Sequence, residues 1–235
     1  MILAGGLGTR LSGTVKDLPK PMAPVAGRPF LEHQMDYWIL QGANRFILSV
    51  GYRHEAIIKH FGASYRGIEI EYSTESNPIG TGGGALLASA CLRESGPFFL
   101  LNGDTFGNFD SRLIRQRHAA SGADITIALV RMAAGGRYSN VQINECGQVL
   151  AFHATERKPA PTLVNAGAYF LESHTLIELG WKPGERFSLE ADGFPRMLEN
   201  GVKVHAVEAV TRFLDIGIPD DYFRADNFIN QLRQS

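Results

Sequence analysis

Cysteine is scarce in this 235-residue chain. Cys91 and Cys146 are too few for a disulfide framework, so a reducing cytoplasm is the expected setting. No apolar run approaches the ~18 residues of a membrane-spanning helix, and residues 1–6 lack the basic and apolar regions of a secretory leader. Neither sign of charge prevails. Lys and Arg total 23 against 24 for Asp and Glu, a net charge of −1, whereas a nucleic-acid binder is usually basic. Any anion site must therefore be local. The seven histidines show no metal-ligand spacing, and repeats, low-complexity tracts and linkers are missing. One domain over residues 1–235 is expected, long enough to fold without disulfide or metal staples.

Glycine is plentiful, at 26 residues against a usual ~7%. It clusters at 5–8 and 80–84, and clustered glycine marks special backbone geometry. Short apolar runs alternate with helical patterns. Strands are expected at 2–4, 46–50, 68–72, 98–101 and 125–130, then at 141–143, 149–152, 164–171, 202–207 and 213–216. Helices are expected around Leu31–Ile39 with Gly42 as a C-terminal cap, and at 55–61, 85–93, 110–121 and from Pro219 onward. This alternation predicts a mostly parallel sheet with helices on both faces.

Leu3-Ala4-Gly5-Gly6-Leu7-Gly8-Thr9-Arg10-Leu11 follows the first strand, where open parallel sheets bind ligands. It is not a dinucleotide fingerprint, because Leu11 stands at the third glycine position. It is not a P-loop either, because Thr14 follows Gly13 where Lys is required. Its glycines still let backbone N–H groups approach an anion, and Arg10 adds a planar cation. Lys20, between Pro19 and Pro21, is a charge on a stiff segment. Alone, these letters read equally as a glycine turn and a solvated lysine. Asp104 follows an apolar run and the turn Asn102-Gly103, and Asp215 follows Phe213-Leu214 and precedes Gly217 and Pro219. Either could be a turn or cap residue, but the two could also converge on one Mg²⁺, which takes carboxylates and phosphate oxygens. Asn165 and Gly167 inside an apolar strand suggest close approach of a ligand. Gly80–Gly84 reads as a second glycine loop leading into a helix, and Ser188 with its nearby acids reads as a helix-start cap. Cys91 reads as helix core.

The Leu-Ala-Gly-Gly-x-Gly-Thr-Arg-Leu segment followed by Pro19-Lys20-Pro21-Met22 resembles the signature of the sugar-phosphate nucleotidyltransferases. The similarity continues through 78–83, Asn102-Gly103-Asp104, 157–159, 165–169, 188–192 and 214–219. It implies an α/β fold: a single-domain, Rossmann-like three-layer αβα sandwich with a mostly parallel mixed sheet. It also implies joining a nucleoside triphosphate to a sugar 1-phosphate with release of pyrophosphate. Leu3, Ala4, Gly5, Gly6, Gly8 and Thr9 would then hold the nucleotide, with Gly80, Thr81, Asn102 and Gly103. Arg10 would take the β- and γ-phosphates, and Lys20 would bridge the α-phosphate and the incoming sugar phosphate. Lys158 would hold the sugar phosphate, the alternative being a solvated loop charge. Asn165, Gly167 and Glu190 would meet sugar hydroxyls, and Arg137 would close over the sugar. Asp104 and Asp215 would bind Mg²⁺. Two positions depart from the family pattern: Ile218 replaces the more usual Thr, and Arg157 stands where Glu often precedes the lysine.

Within the family the chain looks most like guanylyltransferases of D-glycero-α-D-manno-heptose 1-phosphate, which serve bacterial surface polysaccharides. GTP and that sugar 1-phosphate are the partners this implies, with neither nucleic acid nor membrane, and with a homo-oligomer left open. A uridylyl- or guanylyltransferase for N-acetylmuramic acid or mannose 1-phosphate is the nearest alternative. A binding subunit without turnover is the alternative of another class. Such a subunit is expected to have lost at least one of Arg10, Lys20, Asp104 and Asp215, and all four are present.

Overall fold

The structure, a computed structural model, describes residues 1–6, 8, 18–132, 138, 140–153 and 161–233. Its strands are β1 (Ile2–Ala4), β2 (Pro24–Val25), β3 (Arg28–Pro29), β4 (Arg45–Val50), β5 (Ser64–Tyr65), β6 (Ile68–Thr74), β7 (Pro97–Asn102), β8 (Thr105–Phe109), β9 (Ile125–Met132), β10 (Asn140–Ile143), β11 (Val149–His153), β12 (Thr162–Glu172) and β13 (Val204–Asp215). Its α-helices are α1 (Phe30–Leu40), α2 (His54–Phe61), α3 (Gly80–Ser89), α4 (Ser111–Ser121), α5 (Phe194–Glu199) and α6 (Pro219–Arg233).

The main sheet runs β5-β6-β4-β1-β7-β12-β9-β13-β8, with β10 and β11 attached beside β12. Strands β6, β4, β1 and β7 are mutually parallel. β12 runs against both β7 and β9, so β9 and its parallel neighbour β13 share the direction of the first block. The mixed, mostly parallel sheet expected from the alternation is therefore present, with β5, β12 and β8 reversed. One face is covered by α1, α2 and α4 through Leu31, Met35, Trp38, Ile57 and Ile114. The other is covered by α3 and α5 through Ala85, Leu86, Phe194 and Met197. At the β8 edge Ala225 and Ile229 of α6 pack on Phe30, Phe106 and Leu214.

Most elements follow their local pattern. Phe30, Leu31, Met35 and Trp38 recur on one face of α1 and are buried, and Gly42 with φ +91° turns the chain after it. Asp110 caps α4 by accepting from Leu113 N at 2.9 Å. Three expectations change. The segments at 202–207 and 213–216 are one strand, β13. Its register slips between Glu208 and Val210 against β9, and between Val210 and Phe213 against β8. These irregularities bend one strand across two partners, and their polar residues read as a loop in the sequence. Strand β8 went unpredicted because Gly107 interrupts a five-residue run. A Cβ there would lie 2.6 Å from Arg212 O, so the glycine permits close approach of β13. The third change is α3, which begins at Gly80 rather than Ala85 and ends at Ser89. Cys91 lies just past its end, half-buried.

Candidate active site

Adjacent strands β1 and β7 end together, in register at Leu3 and Asn102. At those ends opens a cavity of about 370 Å³. It is lined by Leu3, Ala4, Gly5, Gly6, Gly8, Lys20, Gly80, Thr81, Asn102, Gly103 and Asp104. Every described residue expected to hold the nucleotide is thus on one wall or another. Pro21, Pro78, Glu75, Arg186 and Gly217 complete the lining. Thr9, Arg10, Arg137 and Lys158 lie outside the described residues.

Backbones come very close here, and the glycines allow it. A Cβ on Gly103 would collide with Leu3 O, whose oxygen accepts from Gly103 N at 2.9 Å. A Cβ on Gly5 would lie 2.6 Å from Glu75 Oε1. The sequence Gly80-Thr81-Gly82-Gly83-Gly84 is therefore not a loop but the first turns of α3. Its glycines admit the 185–188 segment against the helix backbone: Gly82 N and Gly83 N donate to Phe187 O at 3.1 and 3.2 Å.

Asp104 and Asp215 lie close together. Asp215 lies opposite Thr105 in the β13–β8 pairing, and Ile216 N donates to Asp104 O at 3.0 Å. Gly217 N donates to Asp215 Oδ1 at 2.6 Å. Lys20 Nζ donates to Asp104 Oδ2 at 2.5 Å, and its side chain is only 11% exposed. A Cβ on Gly217 would be 2.7 Å from Asp215 Oδ1 and 3.2 Å from Lys20 Nζ, so ammonium and both acids share one corner. The carboxylate of Asp104, in the turn between β7 and β8, and that of Asp215, at the end of β13, offer hard oxygen donors of the kind that fit Mg²⁺. Among the described residues no group of three or more Asp, Glu, His or Cys side chains is arranged to hold a metal ion by itself.

On the other side of the cavity, Glu190 Oε2 accepts from Thr81 Oγ1 at 2.6 Å and from Ser188 Oγ at 3.2 Å. Its Oε1 accepts from Tyr169 OH at 3.3 Å. Ser188 also caps the turn at Leu189–Gly193, accepting from Ala191 N. The capping role of Ser188 is thus present, with Glu190 held beside it by hydrogen bonds from Thr81, Ser188 and Tyr169. Asn165 spends its amide inside β12, donating to Tyr169 OH and accepting from Gly167 N, each at 2.9 Å. Gly167, at φ +71°, sits where β12 slips register against β9, packed on Asn102 and Thr105. The structure thus gives Asn165 and Gly167 a place in the strand irregularity behind the cavity rather than in its lining. Burial and the Glu190 charge hold the Tyr169 hydroxyl well above its ordinary pKa, so it stays a neutral donor.

Glu75 and Arg186 were not singled out from the sequence. Glu75 directly follows an alternating strand, three residues before Pro78, a signal that could have marked it. Its carboxylate accepts weakly from Ser49 Oγ and Ile79 N, both at 3.3 Å, and burial raises its pKa. Arg186, exposed beside the glycine-rich helix start, carries no comparable pattern.

The nucleotidyl transferase family profile matches residues 1–232. The chain belongs to that family. D-glycero-alpha-D-manno-heptose 1-phosphate guanylyltransferase of Aneurinibacillus thermoaerophilus is 39% identical to this nucleotidyltransferase over 225 residues, covering 96% of this chain and 95% of that protein. Mannose-1-phosphate guanylyltransferase of Mycobacterium tuberculosis is 33% identical over 95% of this chain but 62% of its own length. Among solved structures, HddC from Yersinia pseudotuberculosis is 31% identical. It superposes with a TM-score of 0.83, or 0.82 in its complex with GMP-PN, over 96% of both chains.

Proposed function

We propose that this nucleotidyltransferase transfers GMP from GTP to D-glycero-α-D-manno-heptose 1-phosphate, releasing pyrophosphate and forming GDP-heptose. In this reading residues 1–235 act as one nucleotidyltransferase domain, in the cytoplasm, to supply a bacterial surface polysaccharide. The observation that carries it is the meeting of Lys20, Asp104 and the Asp215 strand end at the floor of a glycine-lined cavity. Relatives of matching length named for this reaction support the choice of substrates.

A sugar phosphate is already an anion, so its attack on the α-phosphorus needs no strong base. The new P–O bond forms as the bond to the β-phosphate breaks, and the electron pair leaves with pyrophosphate. The barrier is the mutual repulsion of two polyanions, so catalysis is positioning plus neutralisation. Lys20 supplies a buried ammonium at the point where the two phosphates meet. Asp104 and Asp215 would hold Mg²⁺, which would supply further neutralisation of phosphate charge. Glu75 offers paired acceptors inside the cavity, which match the adjacent N1–H and N2–H₂ donors of guanine. Glu190, oriented by the Thr81 and Tyr169 hydroxyls, would meet the hydroxyls of the sugar.

Pyrophosphate release from GTP, ITP, ATP and UTP against a panel of sugar 1-phosphates tests this reading. GTP with the heptose phosphate is expected to give the highest kcat/KM, and ITP, which lacks the N2 amine, to be slower by ~10-fold or more. UTP outrunning GTP, or mannose 1-phosphate matching the heptose, would overturn the substrate assignment and leave the reaction class standing. Asp104→Asn or Asp215→Asn is expected to lower kcat by two orders of magnitude or more, roughly 3 kcal/mol of transition-state stabilisation. Full turnover in excess chelator would remove the metal from the mechanism.

A further inference from the structure

Gln34 is an odd occupant of the inner face of α1. Its neighbours Phe30, Leu31, Met35 and Trp38 are apolar, yet Gln34 is 2% exposed among them. Its Nε2 donates to Asn102 O at 2.8 Å and to Thr105 O at 2.6 Å. Those two carbonyls bracket Gly103 and Asp104, which alone join β7 to β8. Strand β7 lies inside the sheet and β8 at its edge, so the chain breaks sharply at this point. A primary amide offers two donors from one nitrogen, and here both reach the turn. The orientation is fixed: turned over, Oε1 would confront two carbonyl oxygens. Gln34 Oε1 itself is buried without a partner, a cost that core packing alone would not select.

The turn has two other backbone ties, Gly103 N to Leu3 O and Ile216 N to Asp104 O. Leu3 reaches it from β1 and Ile216 from the end of β13, so Gln34 adds the tie from the helix layer. We propose that Gln34 is a positioning residue, clipping both sides of this turn so that the Asp104 carboxylate is aimed into the cavity before any ligand arrives. A group that fixes the backbone of a metal ligand sets affinity for the ion without touching it. The inference rests on the assignment of Asp104 to the metal.

Gln34→Met keeps the length and removes both donors. Tyr37→Phe is the control, since Tyr37 OH donates to Phe109 O at 2.8 Å, at the far end of β8 from the same helix. Gln34→Met is expected to raise half-saturating Mg²⁺ about tenfold, with kcat at saturating Mg²⁺ within about threefold of wild type and the KM for GTP unchanged. Mn²⁺ binding, read from the amplitude of the free-ion EPR signal, is expected to weaken in the same proportion. Amide exchange is expected to accelerate over residues 102–106 and stay unchanged elsewhere. Tyr37→Phe is expected to leave all of these unmoved. If Gln34→Met fails to fold, Gln34→Glu is read instead, because its carboxylate repels the same two carbonyls at neutral pH. Unchanged Mn²⁺ binding and Mg²⁺ dependence, or exchange accelerated over the whole chain, would overturn the positioning role. Wild-type Mn²⁺ binding that Asp104→Asn does not alter overturns the metal assignment instead, and local exchange at 102–106 then judges the clip by itself.

Discussion

Glu75 brings a negative charge into a cavity suited to a polyanion, and burial raises its carboxyl above the ordinary range. A group whose folded pKa is raised favours the folded state below its unfolded value and loses that contribution as pH rises through the folded value. Ionised Glu75 is therefore a liability at neutral pH. Glu75→Gln is expected to melt higher than wild type at pH 7, with the advantage fading as pH falls toward the ordinary carboxylate range. The same variant is expected to lose most of its preference for GTP over ITP. Equal melting temperatures at pH 7 and pH 4.5 would remove the electrostatic argument. Thr81 carries a different burden, donating to Glu190 and accepting from Leu189 N at 2.9 Å. Thr81→Val orphans that amide and is expected to cost about 1–3 kcal/mol in urea unfolding. Legibility differed among these residues for a physical reason. Lys20 sits between prolines and Asp104 at a strand end, and such positions leave a mark in the local sequence. Glu75 and Gln34 act through partners 26 and 68 residues away, and no local pattern carries such pairings.

At the scale of the element, α3 shows how a correct signal leads to a wrong shape. Four glycines in five residues read as a loop, since each costs an isolated helix about 1 kcal/mol relative to alanine. Here the helix forms because 185–188 lies against it: Phe187 accepts from two of its amides and stacks on Trp181, ring centroids 4.0 Å apart. The glycine requirement is thus long-range packing, which propensity cannot express. Gly83→Ala tests the point. Its Cβ would fall 2.5 Å from Glu185 O, so the substitution is expected to destabilise by at least ~2 kcal/mol rather than give the usual gain. A thermal shift upward would mean that the segment moves aside freely. Elements with a complete local code were legible nearly to the residue, as α1 and β9 show. Strand β13 was not, because its irregularities place polar residues inside a strand.

For the whole molecule, the sheet sorts the site. The glycine loop and Asn102 come from the parallel β1–β7 block, while Tyr169 and the Asp215 strand end come from β12 and β13, beyond the first reversal of direction. The cavity thus opens at strand ends drawn from both sides of that reversal, where two ligands can face each other. The alternation of elements foretold the layers, but which strands reverse was not legible, because strand order depends on long-range pairing. The near-zero net charge places the attraction for phosphates in a few buried groups rather than in a general field. Lys20 is chief among them, and it is already engaged with Asp104. With Asp104 as the proposed metal ligand, that pairing sets an expected order of arrival. A bare cation seeking Asp104 must evict an ammonium, whereas a cation escorted by a polyphosphate brings the anion that draws the ammonium away. Metal and nucleotide are therefore expected to enter together, free metal alone binding more weakly. Lys20→Met is expected to abolish turnover yet bind Mn²⁺ about tenfold more tightly than wild type when no nucleotide is present. An unchanged Mn²⁺ affinity would show that the latch is open at rest.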